Sequence, residues 1–170
     1  MATEIRKDQV ENTAVTLSDT QTMANKTFTA PIINGDVTGD RPYFAAKLTT
    51  GTYNATSDLI WDSEIVDNTS SYSTSTGIFT APTTGFYVFG FNILLPNASS
   101  GEYRIGFYKN NSIYDVPIYR KTSTGTWDTV QATVGAYMTA SDTMRIKYTT
   151  GSGAIYTDQN YNLFWGFKIM

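Results

Sequence analysis

Acid–base chemistry in this chain falls to carboxylates. None of its 170 residues is histidine and none is cysteine. That removes the commonest general base, the commonest transition-metal ligand, and any thiolate nucleophile or disulfide. Serine triads, zinc hydrolysis and histidine switches are excluded with them. Two carboxylate pairs are close in sequence, Glu64 with Asp67 and Asp36 with Asp40. Glycoside hydrolysis needs two carboxyls facing one another across ~5–10 Å of cleft, and neither spacing dictates that. Asp67 precedes Asn68 in a turn-forming cluster, the ordinary business of such residues. The run "NGDVTGD" from Asn34 to Asp40 offers oxygen ligands without the spacing of a calcium loop. The sequence therefore assigns no catalytic residue, no metal and no cofactor, and the chain reads as a non-enzyme.

Recognition chemistry is better represented. Tyr53, Asn54, Trp127, Tyr156, Asp158 and Tyr161 fall in or beside the longest polar segments. Aromatic faces among amides and carboxylates suit carbohydrate: rings stack on the apolar side of a sugar while polar groups take its hydroxyls. Trp127 and Tyr161 suit strand-end packing equally well. A net charge of −3 argues against a nucleic-acid partner, since phosphates need a basic patch. No run approaches the ~18 apolar residues that span a bilayer. The N-terminal "MATEIRKDQVEN" lacks the apolar core of a signal peptide.

The elements that must position these residues are strands. Charged residues make up 16% of the chain and hydrophobic residues 41%, so the surface is built largely from Thr, Ser, Asn and Tyr, and Thr and Tyr favour strands. From Tyr43 onward, apolar runs recur between turn clusters. The pattern predicts strands near 43–49, 58–62, 70–74, 77–81, 85–95, 102–109, 113–120, 126–138, 143–149 and 161–169. Ten antiparallel strands suit a two-sheet sandwich or jelly roll. Residues 1–42 have only scattered apolar units between Asn, Asp, Gly and Pro. They are expected to be an extended stem, ordered by neighbouring chains or a larger particle.

Alternate connections of an antiparallel sandwich lie at the same end. One end collects the short segments "APTTG", "KNNS" and "TASD". The other collects "TTGTYNATSD", "PNASSG", "KTSTGT" and "TTGSGAIYTDQN". The stem enters at the short-loop end, so the long loops form the far tip, where recognition loops are expected.

Two strands carry large apolar groups on both faces. In "GFYVFGFNILL" one set is Tyr87, Phe89, Phe91, Ile93 and Leu95, and the other is Phe86, Val88, Gly90, Asn92 and Leu94. In "YNLFWGFKI", Leu163, Trp165, Phe167 and Ile169 form one set, and Phe164 and Gly166 stand in the other. A sheet of a sandwich has one inner face, so the second face calls for a partner surface. Phe86, Val88, Phe164 and Gly166 are the expected intersubunit residues. The alternative places Phe86 and Phe164 singly on the surface or under a loop.

Several of these residues stand in a familiar pattern: Ile60, Asp62, Asn68, Tyr72, Gly77, Phe79, Thr80, Pro82, Gly85, Tyr87 and Phe89, followed by "YRIGFYKNN", Asp142 and the terminal "FWGFKI". This resembles the globular head of complement component one, subcomponent q, a relative of tumour necrosis factor. The resemblance covers 43–170 and is weakest around 112–138. Asn111 replaces a glycine of the family pattern, no collagen-like stalk precedes the head, and no calcium site carries over. It implies a ten-stranded jelly roll, 43–170, forming a tight homotrimer whose sheet containing 85–95 and 161–169 faces the threefold axis. The segment Ala24–Pro31, "ANKTFTAP", is similar to linker units of bacteriophage fibre proteins.

Together these resemblances imply a virion structural protein, assembled in the bacterial cytoplasm and exposed on the particle. Residues 1–42 would join it to other virion proteins. The leading expectation is a trimeric fibre or knob whose tip loops adhere to host-surface glycan. The alternatives are a capsid-decorating cement protein and, less favoured, a polysaccharide-cleaving spike. A 42-residue stem spans at most ~150 Å, which suits a head fibre or decoration.

Overall fold

The computed structural model describes residues 41–96, 100–151, 153–158 and 160–169. The expected stem lies outside the described residues except for Arg41 and Pro42. Every regular element among those residues is a strand. They are β1 (Tyr43–Lys47), β2 (Ser57–Asp58), β3 (Ser63–Asp67), β4 (Tyr72–Ser73), β5 (Ile78–Thr80), β6 (Gly85–Leu95), β7 (Gly101–Lys109), β8 (Ser112–Asp115), β9 (Ile118–Lys121), β10 (Asp128–Met138), β11 (Thr143–Thr150) and β12 (Leu163–Lys168). The front sheet runs β10-β6-β12-β1-β3. The back sheet runs β4-β5-β11-β7-β8, with β2 added on β11 and β9 on β7. This is an all-β jelly roll of two packed sheets.

Twelve strands stand where ten were expected: 113–120 divides in two, Ser63–Asp67 forms a strand that was not expected, and of 58–62 only Asp58 lies in one. Residues 58–62 carry the chain from one sheet to the other: β2 pairs with β11 and β3 with β1. Leu59 and Trp61 are fully buried on the way across, and Leu59 N–H bonds to Ile146 C=O at 3.0 Å. The crossing is extended and apolar like a strand, yet it belongs to neither ladder. Residues 113–120 break at Val116–Pro117, where proline has no N–H to donate. Opposite the break stands Gly106, where a Cβ would lie 2.4 Å from Asp115 O and 2.5 Å from Val116 Cα.

Between the sheets lies an aromatic core. Phe44 stacks on Tyr72 and Phe79 at centroid distances of 4.8 and 5.0 Å, and meets Phe164 edge-on at 4.9 Å. Tyr87, Phe89, Phe91, Ile93 and Leu95 of β6 all point inward. Each such side chain contributes about 1.5–3 kcal/mol on burial.

The structure reverses the reading of β12. Phe164 pairs with Phe91 and Gly166 with Phe89, so both expected interface residues face the core of their own protomer. Phe164 is fully buried. A Cβ on Gly166 would come within 2.4 Å of the Phe89 ring and 2.8 Å of Phe44. Alternation separates two sets of residues without saying which is inside. Here the more apolar set, with Trp165 and Phe167, is the outer one, because the inner position at 166 has no room for a side chain. Phe86 and Val88 do lie on the outer face.

Candidate functional site

The expected grouping of loops by length holds in space. At one end, which we call the base, the short connections bond to each other: Ala81 N to Asp142 O at 2.8 Å, Ser141 N to Ala81 O at 2.8 Å, and Asn110 N to Thr143 O at 3.0 Å. The chain enters β1 here, since Lys168 N bonds to Pro42 O and Lys168 Nζ reaches Thr83 Oγ1. The opposite end, the tip, is made of the long connections around Gly51, Pro96, Gly125 and Tyr156.

The segment 153–162 is the hub of the tip. Ile155 forms a β-bridge with Tyr53, and Thr157 Oγ1 donates to Gly51 O at 3.2 Å. On its other side, Tyr156 meets Trp127 edge-on, with centroids 4.8 Å apart and planes at 64°. Trp127 is 50% exposed and Tyr156 39%. These two aromatic residues, distant in sequence, share one wet surface. Asp128, next to Trp127, takes a hydrogen bond from Tyr119, and that bond, with burial and the carboxylate's charge behind it, pushes the Tyr119 phenol up to about 12.

The remaining expected tip residues divide. Tyr161 is exposed, with its carbonyl held by the Asn92 amide. Asp158 closes its own turn by accepting from Asn160 N at 2.8 Å. With Thr49, Thr50, Ser63, Thr157 and Asn160 it lines a hydroxyl-rich groove of about 470 Å³. Beneath this groove Asp62 accepts from Thr49 N, Thr49 Oγ1 and Thr50 Oγ1 at 2.6–2.8 Å. Burial pushes the Asp62 carboxyl up, but the bonds from Thr50 and Thr49 outweigh it and hold it below its ordinary value. Asn54 is exposed and contributes its carbonyl to Ser57 N. Tyr53 is a correction. Its ring lies under Gly51 and its hydroxyl donates to Ile60 O at 3.0 Å. Burial, more than that bond offsets, raises its phenol pKa. Tyr53 packs the loop and is partly buried there.

Two residues that sequence reasoning passed over build the tip from within. Asn162 is buried; its Oδ1 accepts from Leu94 N at 2.9 Å, and its Nδ2 donates to Tyr156 O at 2.6 Å and Asp158 O at 3.1 Å. Lys121 is also buried and donates to Pro96 O and Thr126 O. Strand phase was the available signal. Asn162 shares the inward phase of Phe164, and Lys121 that of Tyr119.

A second surface runs over the outer face of the front sheet. Tyr43, Phe167 and Val88 lie in one ladder row, beside Trp165. Trp165 lies against Gly90, where a Cβ would be 2.2 Å from the indole. At the base of this face Arg41, Tyr43, Phe167, Lys168 and Ile169 line a hollow of about 450 Å³. The apolar surface turns the β10 edge through Phe86 and Tyr137, which is 61% exposed. It continues to Tyr114, whose hydroxyl donates to Gly135 O, and to Ile113, 71% exposed. Among the described residues no cluster of three or more carboxylates could hold a metal ion.

The comparisons with known proteins agree on the fold. The C1q domain matches residues 43–169. The globular domain of zebrafish complement 1qA is 18% identical with a TM-score of 0.63, over 77% of this chain and 98% of that one. Murine APRIL, in its crystal structure at pH 5.0, is 8% identical with a TM-score of 0.61, over 76% of this chain and all of the other. No curated protein sequence matches the chain.

Proposed function

From the premise that the chain belongs to the C1q domain family, we propose that it is the trimeric head of a bacteriophage fibre or knob, adhering to host-surface glycan through its tip. One observation carries the assembly. The molecule bears two unlike apolar surfaces, a flat face with a hollow at Tyr43, Phe167 and Ile169, and an edge with protruding Ile113, Tyr114 and Tyr137. The edge of one copy can then seat on the face of the next. Copies so joined run head to tail, and a head-to-tail contact that closes makes a ring. Three copies close it with each edge on the next copy's face, at roughly 25 cal/mol for each Å² of apolar surface covered.

The adhesive half is supported by geometry. Trp127 and Tyr156 stand together, exposed, at the end opposite the entry of the chain into β1. The phage assignment is supported by the likeness of residues 24–31 to fibre linkers. Electron microscopy of particles with and without the protein tests the whole. The expected result is a knobbed projection that vanishes on deletion, together with loss of adsorption to host cells. Particles that adsorb normally yet become fragile would instead make the protein a capsid cement.

A further inference from the structure

Lys121 is only 3% exposed, and its Nζ donates to Pro96 O at 2.7 Å and to Thr126 O at 2.6 Å. Among the described residues no carboxylate forms an ion pair with it. A buried ammonium without a counter-charge is an expensive way to close a turn, for which a serine or asparagine would serve. What a lysine adds is reach and strength. It joins two loops that do not follow one another in sequence, through short charge-assisted bonds. Its ladder partner on β7 is Gly101, which sets no side chain beside the stem of the lysine.

The carbonyls it holds are informative. Thr126 immediately precedes Trp127, so Lys121 fixes the backbone from which the indole projects. Asn162 does the same for the other ring, since its Nδ2 bonds directly to Tyr156 O. Trp127 and Tyr156 are thus each anchored from inside by a buried polar side chain at or beside a strand end. Two exposed rings on independent loops would lose this arrangement by fluctuation; anchored, they meet a ligand without a further ordering cost.

We infer that Lys121 and Asn162 are positioning residues of a preformed stacking site at Trp127 and Tyr156, whose ligand is the apolar face of a saccharide ring. The inference rests on the adhesive reading for its ligand but not for its positioning half. The test uses the full chain with Trp165→Phe, which leaves buried Trp61 and exposed Trp127 as the indoles. Lys121→Met should raise iodide quenching of Trp127 and speed amide exchange in 122–130, with exchange in β6 unchanged. On a printed panel of bacterial surface polysaccharides, dextran and mannan, the same change should weaken retention about tenfold, as should Trp127→Ala. Lys121→Gln, able to reach one carbonyl, should fall between, and it carries the test if Lys121→Met does not fold. Unchanged quenching and exchange in these variants would overturn the positioning role. Loosened loops with no retention of the parent protein on any polysaccharide would overturn the adhesive reading while leaving Lys121 as the loop anchor.

Discussion

Asp142 gathers the base of the molecule around one carboxylate. Its oxygens accept from Asn110 Nδ2 at 2.7 Å, from Thr139 N at 2.8 Å and from Lys109 Nζ at 2.9 Å. These contacts, the amide of Asn110 first, hold its pKa down at about 2. A folded pKa below the unfolded one means the stabilisation is complete above about pH 4 and disappears as the pH falls towards 2. Asp142→Asn should therefore lower the melting temperature at neutral pH, and the gap from the parent protein should shrink across that acid window. A gap that stays constant to pH 2 would show that charge is not the source. At the tip, Asn162→Ala leaves Leu94 N and two carbonyls without this partner and should cost about 1–3 kcal/mol in urea unfolding. Neither residue announces its role in the sequence. Asp142 was legible only through its resemblance to a family pattern, and Asn162 reads as one more loop amide until strand phase places it inside.

Among the elements, β12 separates core packing from surface. Gly166→Ala places a methyl 2.4 Å from the Phe89 ring. It should destabilise the fold by about 1–3 kcal/mol through overpacking. Phe167→Ser, one residue away on the outer face, should weaken association by sedimentation and, in a Val88→Asp monomer, leave urea stability unchanged. If the two variants exchange these effects, the inner face of β12 has been assigned the wrong way round. The existence and order of the strands were readable because alternation and turn residues mark them directly. Which face of β12 is inner was not readable, because Trp165 and Phe167 outweigh Phe164 and Gly166 in any count of apolar groups. The crossing at 58–62 looked like a strand because Leu59 and Trp61 are buried at alternate positions. The tip was legible as a set of loops, but Tyr53 looked as available as Tyr156. Only the fold shows that one ring is under Gly51 and the other in water.

For the whole molecule, assembly is the property most open to measurement. In the proposed trimer Val88→Asp puts one buried carboxylate from each copy into the contact between copies, and it should convert a dilution-resistant assembly into monomers by sedimentation velocity. Removing residues 1–42 should leave the head folded and trimeric, since the described core is complete without them, while abolishing its incorporation into particles. A truncated protein that still incorporates would move the attachment point to the head. The entry of the chain at Pro42 has a mechanical consequence. β1 lies inside the front sheet, bonded on one side to β12 and on the other to β3. Tension applied at Arg41 and directed away from the tip runs along the axis of that strand. The bonds of both ladders are then loaded together in shear, and none can be peeled open before the next. A head tethered by this strand is built to be pulled.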